Sequence, residues 1–86
     1  MQTLLEQVAT LPVVLPNIPV NEYLAKHIRS HRVLKNHIRH SKATVNGKTY
    51  DQLLQELGPY NKMAGRALHR RINAAIDARW PALAAV

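Results

Sequence analysis

Three closely spaced prolines decide how the first part of this chain can fold. Residues 10–20 read TLPVVLPNIPV, and Pro12, Pro16 and Pro19 each lack a backbone donor and push the preceding residue toward extended geometry. No helix passes through such a stretch, so the sequence predicts an extended arm with apolar side chains. Leaving Val13, Val14, Leu15 and Ile18 in water would be unfavourable. The arm must therefore pack along its own domain or reach a neighbouring subunit. Ahead of it, Gln2, Leu4, Leu5 and Val8 fit a short helix over residues 2–9, with Thr3 and Glu6 at capping-box spacing.

The arm also separates two charge regimes. Residues 1–25 hold Glu6 and Glu22 and no base, for −2, while residues 26–86 hold all 12 Lys and Arg against Asp51, Glu56 and Asp77, for +9. Between Lys26 and Lys48 lie Arg29, Arg32, Lys35, Arg39 and Lys42 without a single acid, together with His27, His31, His37 and His40. A second cluster is Lys62, Arg66, Arg70 and Arg71. Positive charge gathered this way is the footprint of a polyanion partner, most often nucleic acid.

Length and composition exclude much else. A chain of 86 residues is one domain with a thin core, burying roughly 60–65% of its unfolded surface. A second subunit would help it, and a homodimer through the arm or through residues 22–40 is expected. The absence of Cys excludes a disulfide framework, a zinc finger and a thiol nucleophile. The longest apolar run, Leu11–Leu15, is interrupted by Pro12, so no membrane partner is expected. No Lys or Arg precedes the first apolar residues, which argues against a secretory signal. A cytoplasmic, nucleoid-associated protein is the expectation.

Beyond the arm, Asn21 is placed to cap a long helix from Glu22 to about His40. Leu24, Ile28, Leu34 and Ile38 share one side of it, flanked by Tyr23, His27 and His31, and Lys26, Arg29, Arg32, Asn36 and Arg39 share the other. Val33 falls on the polar side, and a break near Ser30–Arg32 into two helices is the alternative. Ala43–Val45 and Lys48–Tyr50 then flank Asn46-Gly47, a strong signal for a tight hairpin because both residues tolerate positive φ. The expected fold is mostly α, with at most this one short β-hairpin over residues 43–50. Its parts are an N-terminal arm, 1–20, a helical DNA-binding domain, 21–80, and a loosely held tail, 81–86.

Residues 49–72, TYDQLLQELGPYNKMAGRALHRRI, are the most informative. Thr49 and Gln52 have capping-box spacing, Leu53, Leu54 and Leu57 give the short helix 50–57 a buried side, and Gly58 suits a left-handed helix end. Pro59 suits the first turn of a second helix running to about Ala78, with Tyr60, Ala64, Ala67, Leu68, Ile72 and Ala75 on its buried face. Two helices joined by a Gly turn, the second with a basic outer stripe, make a helix-turn-helix pattern. Asn61, Lys62, Arg66, His69, Arg70 and Asn73 are its candidate DNA contacts, since Arg can fork to guanine, Asn to adenine, and Lys usually meets phosphate. Arg29, Arg32, Lys35, Arg39, Lys42 and Lys48 are candidate backbone contacts. Gly65, costly by ~1 kcal/mol inside a helix, implies a close approach to another backbone.

This segment resembles the winged-helix DNA-binding part of the alkylguanine-DNA alkyltransferases and alkyltransferase-like proteins. The matching residues are Thr49-Tyr50, Leu57-Gly58 and Gly65-Arg66-Ala67-Leu68. The resemblance implies a DNA-binding scaffold, with Lys62 where the family places the arginine that enters the duplex. It does not imply alkyl transfer, because the family's Pro-Cys-His-Arg motif and its acceptor thiol are absent. In a winged helix the hairpin usually follows the second helix, whereas residues 43–50 precede it.

Other chemistry has little support. The five acids are scattered, no Gly-rich phosphate loop exists, and Ser30 and Ser41 sit among bases, so no enzyme is expected. The four histidines from His27 to His40 include metal-ligand spacings, but the stretch Lys26–Lys48 that holds them has no carboxylate and seven bases, so no metal or other cofactor is expected. The functional expectation is a small DNA-binding regulator of transcription or replication of the kind phages and plasmids encode. Its rivals are a small interaction protein that adapts or inhibits a host protein through its basic surface, and an RNA-binding protein.

Overall fold

The computed structural model describes residues 3–59 and 61–84. Tyr60, expected on a buried helix face, lies outside them, as do Gln2 of the first helix and Ala85 and Val86 of the tail. In chain order the elements are α1 (Leu4–Thr10), β1 (Val13–Val14), α2 (Val20–Lys26), α3 (His31–Ser41), β2 (Thr44–Val45), β3 (Lys48–Thr49), α4 (Tyr50–Leu57) and α5 (Lys62–Arg79). A single 3-10 turn, Pro81–Leu83, follows. The fold is mostly helical, as expected.

The arm is more structured than its prolines suggested. Val13 and Val14 pair antiparallel with Val45 and Thr44, so the hairpin grows into a three-stranded sheet in the order β1-β2-β3. Pro12 precedes the strand and Pro16 follows it, so neither removes a donor from within this edge strand. Asn46 and Gly47 take φ values of 53° and 78°, the pair of positive angles that a two-residue hairpin turn requires. Thr3 and Glu6 form the expected capping box on α1.

The long helix expected over residues 22–40 is two helices. Ser30 adopts extended geometry (φ −86°, ψ 123°), and its hydroxyl accepts from the Val33 N–H at 3.3 Å, which caps α3. The break falls at residues 27–30. Asn21, expected as a cap, lies inside α2, whose N-cap is Pro19.

Leu34, Ile38, Leu53, Leu68, Ile72, Ile76 and Leu83 are fully buried, joined by Val8 and Ile18 from the arm. The arm therefore packs on its own chain. Arg71 of α5 fastens it, its guanidinium donating to the backbone carbonyls of Val8 and Leu11. The tail is not loose through its described part, because Leu83 belongs to the core. Gly65 is buried, but what approaches it is a side chain rather than a backbone: a Cβ there would stand 3.1 Å from Leu54 Cδ2.

Candidate nucleic-acid interface

Local chemistry sets both ends of the helix pair. The Thr49 hydroxyl accepts from the Gln52 N–H at 3.3 Å, and the Gln52 side chain accepts from the Thr49 N–H at 2.8 Å, so the capping box opens α4. Gly58 ends it at φ 77°, a conformation costly for any residue with a Cβ. Pro59 belongs to the connecting turn, and α5 starts at Lys62, later than its position suggested. The Asn61 side-chain amide donates to the Leu57 carbonyl at 2.6 Å and braces the turn.

On α5, residues four apart share a face, and two neighbouring rows have different fates. Asn61, Gly65, His69 and Asn73 form the row that faces α4 and α3. Gly65 meets Leu54, the His69 ring packs edge-on to Tyr50 with centroids 5.9 Å apart, and Asn73 Oδ1 accepts from Arg39 at 2.7 Å. The second row, Lys62, Arg66 and Arg70, is exposed. Among the described residues no carboxylate lies within 4.0 Å of any of these three.

Together the rows border an open groove of about 770 Å³ between α4 and α5, walled by Tyr50, Leu54, Pro59 and Gly65 with Lys62, Arg66 and Arg70 on its edge. Its surface is mainly apolar. The candidate contacts Asn61, Lys62, Arg66, His69 and Arg70 are therefore brought to one place, although Asn61 is engaged in the turn. Asn73 is not among them, because its side chain is turned toward Arg39.

Two of the expected phosphate contacts on α3 are corrected outright. Lys35 and Arg39 are each only 8% exposed. Lys35 pairs with Asp77 at 2.7 Å, and Arg39 donates to Asn73 and to Asn36. The partners step in opposite directions along the two helices, so α3 and α5 run antiparallel, and these bases join them. Burial lowers the Arg39 pKa, with Tyr50 acting the other way, yet a guanidinium stays charged at neutral pH. Lys48 is tied to Glu56 at 2.7 and 2.8 Å, and Arg29, Arg32 and Lys42 remain exposed.

Four of the five histidines serve as packing and linking groups. His27 and His37 lie against Tyr23, and His40 packs on Tyr50 while its Nδ1 sits 2.7 Å from Asp51. His69 is held below the ordinary histidine range, first by burial and then by the positive charge of Arg39, His40 and Lys35. It is neutral at pH 7 and suited to hydrogen bonding rather than to ion pairing. Among the described residues no group of three or more His, Cys, Asp or Glu gathers, and no helix is long and apolar enough to cross a membrane.

Tyr50 and Leu54 had no place in the sequence-based site. Leu54 was read as the buried side of α4 and Tyr50 as the end of the hairpin, yet both wall the groove, and the one local hint was the glycine opposite Leu54 at position 65. No protein-family model, curated protein or solved structure matches the chain.

Proposed function

We propose that this chain binds duplex DNA through α4 and α5, as a small regulator of transcription or replication. The observation that carries the reading is the row Lys62, Arg66 and Arg70: three exposed cations, one helical turn apart, with no carboxylate within 4.0 Å among the described residues. Such a row is left available to an anionic partner, and α4 braces it from behind as the first helix of a helix-turn-helix does. In this reading α5 enters the major groove with its N-terminal half. Lys62 meets phosphate, and Arg66 and Arg70 meet phosphate or fork to a guanine edge. Arg29 and Arg32 lie toward the opposite end of α5 and supply at most peripheral contacts.

Fluorescence anisotropy with a labelled duplex at several salt concentrations tests this. Each phosphate neutralised contributes about −0.9 to the slope of log affinity against log salt. Replacing Arg66 and Arg70 by Ala should make the slope shallower by roughly 2, and replacing Arg29 and Arg32 should change it less. Absence of duplex binding at low salt overturns the reading, and tighter binding to single-stranded RNA than to duplex redirects it.

A further inference from the structure

Contacting DNA uses the three cations but leaves the hollow beside them unfilled. That hollow is mainly apolar and holds about 770 Å³, room for several side chains. No acid lines it among the described residues, and the two acids of α4 are already engaged, Glu56 with Lys48 and Asp51 with His40, so no ion pair among the described residues neutralises its edge. We infer that the groove between α4 and α5 is a docking site for an acidic amphipathic helix of a partner protein. That the partner and DNA exclude one another rests on the DNA-binding reading; the docking itself does not.

Spacing selects a helix. Lys62, Arg66 and Arg70 recur every four residues, a rise of about 6 Å each. A second helix laid along α5 presents carboxylates at the same interval when Asp or Glu occupies positions i, i+4 and i+8. Its adjacent row of Leu or Ile then enters the groove over Leu54 and Gly65, the helix-in-groove mode of recognition. An extended acidic peptide has a comparable interval of about 6.7 Å between alternate residues, but it points its remaining side chains to the opposite face, away from the groove. A helix alone covers both the cations and the apolar wall. Charge complementarity would speed the encounter, and burial of the apolar row would hold the complex.

Two labelled peptides of about 15 residues, four helical turns, provide the test. One carries Glu at three successive turns beside a row of Leu. The other has the same composition with the two rows on opposite faces. Against the full chain, the matched peptide should bind at least about tenfold more tightly, a difference near 1.4 kcal/mol. Leu54→Ala should weaken it severalfold. If that variant fails to fold by circular dichroism, Gln55→Glu, an exposed wall position, should weaken it instead. Equal binding of the two peptides, or matched binding indifferent to the wall variant that folds, overturns the inference. Unlabelled duplex should displace the matched peptide, and simultaneous binding of both overturns the competition. Duplex binding without preference for the matched peptide removes the docking site alone. Matched-peptide binding without duplex binding removes the DNA reading alone.

Discussion

Two rows of bases with the same spacing do opposite work in this molecule. Lys35 and Arg39 stand four apart on α3, and Lys62, Arg66 and Arg70 stand four apart on α5. The first row is buried against Asp77, Asn73 and Asn36 and joins two helices, whereas the second is exposed and, among the described residues, pairs with no acid. The difference lies in what the opposing helix offers. Where α5 supplies a carboxylate and an amide, the base turns inward; where α4 offers Leu54, Tyr50 and Gln55 and its two acids are paired with His40 and Lys48, it stays in water. A basic residue is therefore available to a partner only when its own fold has no use for it.

The sharpest way to break this contrast is to delete the exposed row. Lys62→Ala with Arg66→Ala and Arg70→Ala should cost about 10²–10³-fold in duplex affinity near 0.1 M salt by loss of three phosphate contacts. Its thermal midpoint should stay within a few degrees of wild type, since exposed charges contribute little to stability. A large fall in midpoint would show that the row is structural after all.

The reciprocal change is next in size. Asp77→Ala leaves the Lys35 ammonium buried without its partner and should destabilise by roughly 2–3 kcal/mol, less than for a fully buried pair because Asp77 is partly exposed. Thermal melting would register this as a drop of about 10–20 °C for a domain of this size. An unchanged midpoint would remove the structural role assigned to the buried row.

His69 sits between the two rows and sharpens the contrast through pH. Its pKa is lowered in the folded state, so the unfolded chain takes up a proton near pH 6.5 that the folded chain resists. Stability is full above that pH and falls as the pH drops below it. Denaturant midpoints measured between pH 7.5 and 5 should show the decline, and His69→Gln should flatten it. The smallest effect belongs to Gly65→Ala. Its gain of ~1 kcal/mol in helix propensity is offset by the 3.1 Å approach to the mobile end of Leu54, leaving a net change under about 0.5 kcal/mol by melting and duplex affinity intact.

Much of the local architecture was legible in the sequence because its causes are local. Thr49 with Gln52, Asn46-Gly47, Gly58 and Thr3 with Glu6 each act within four residues, and each appears where the spacing placed it. Ser30 was legible only as the edge of an alternative break. The pairing of Val13 with Val45 was hidden because a strand of two residues has no periodicity, and its partner lies in another part of the chain. For the same reason the helical pattern of α3 put Arg39 on its polar side without revealing Asn73, 34 residues further on, which draws it inward. For the candidate site, the row 62, 66, 70 was readable, while the apolar wall beside it was disguised as ordinary core.

The grip of Arg71 on the carbonyls of Val8 and Leu11 has a consequence for how the chain is made. A ribosome delivers the arm first and α5 last, so those two carbonyls wait through the synthesis of some 60 residues before the guanidinium that fastens them exists. Until then, α1 and β1 lack the α5 surface they pack on in the folded chain. Contacts so distant in sequence slow folding relative to a simple helical hairpin. Although it precedes α5 in the chain, the arm is thus fastened only once α5 has been made.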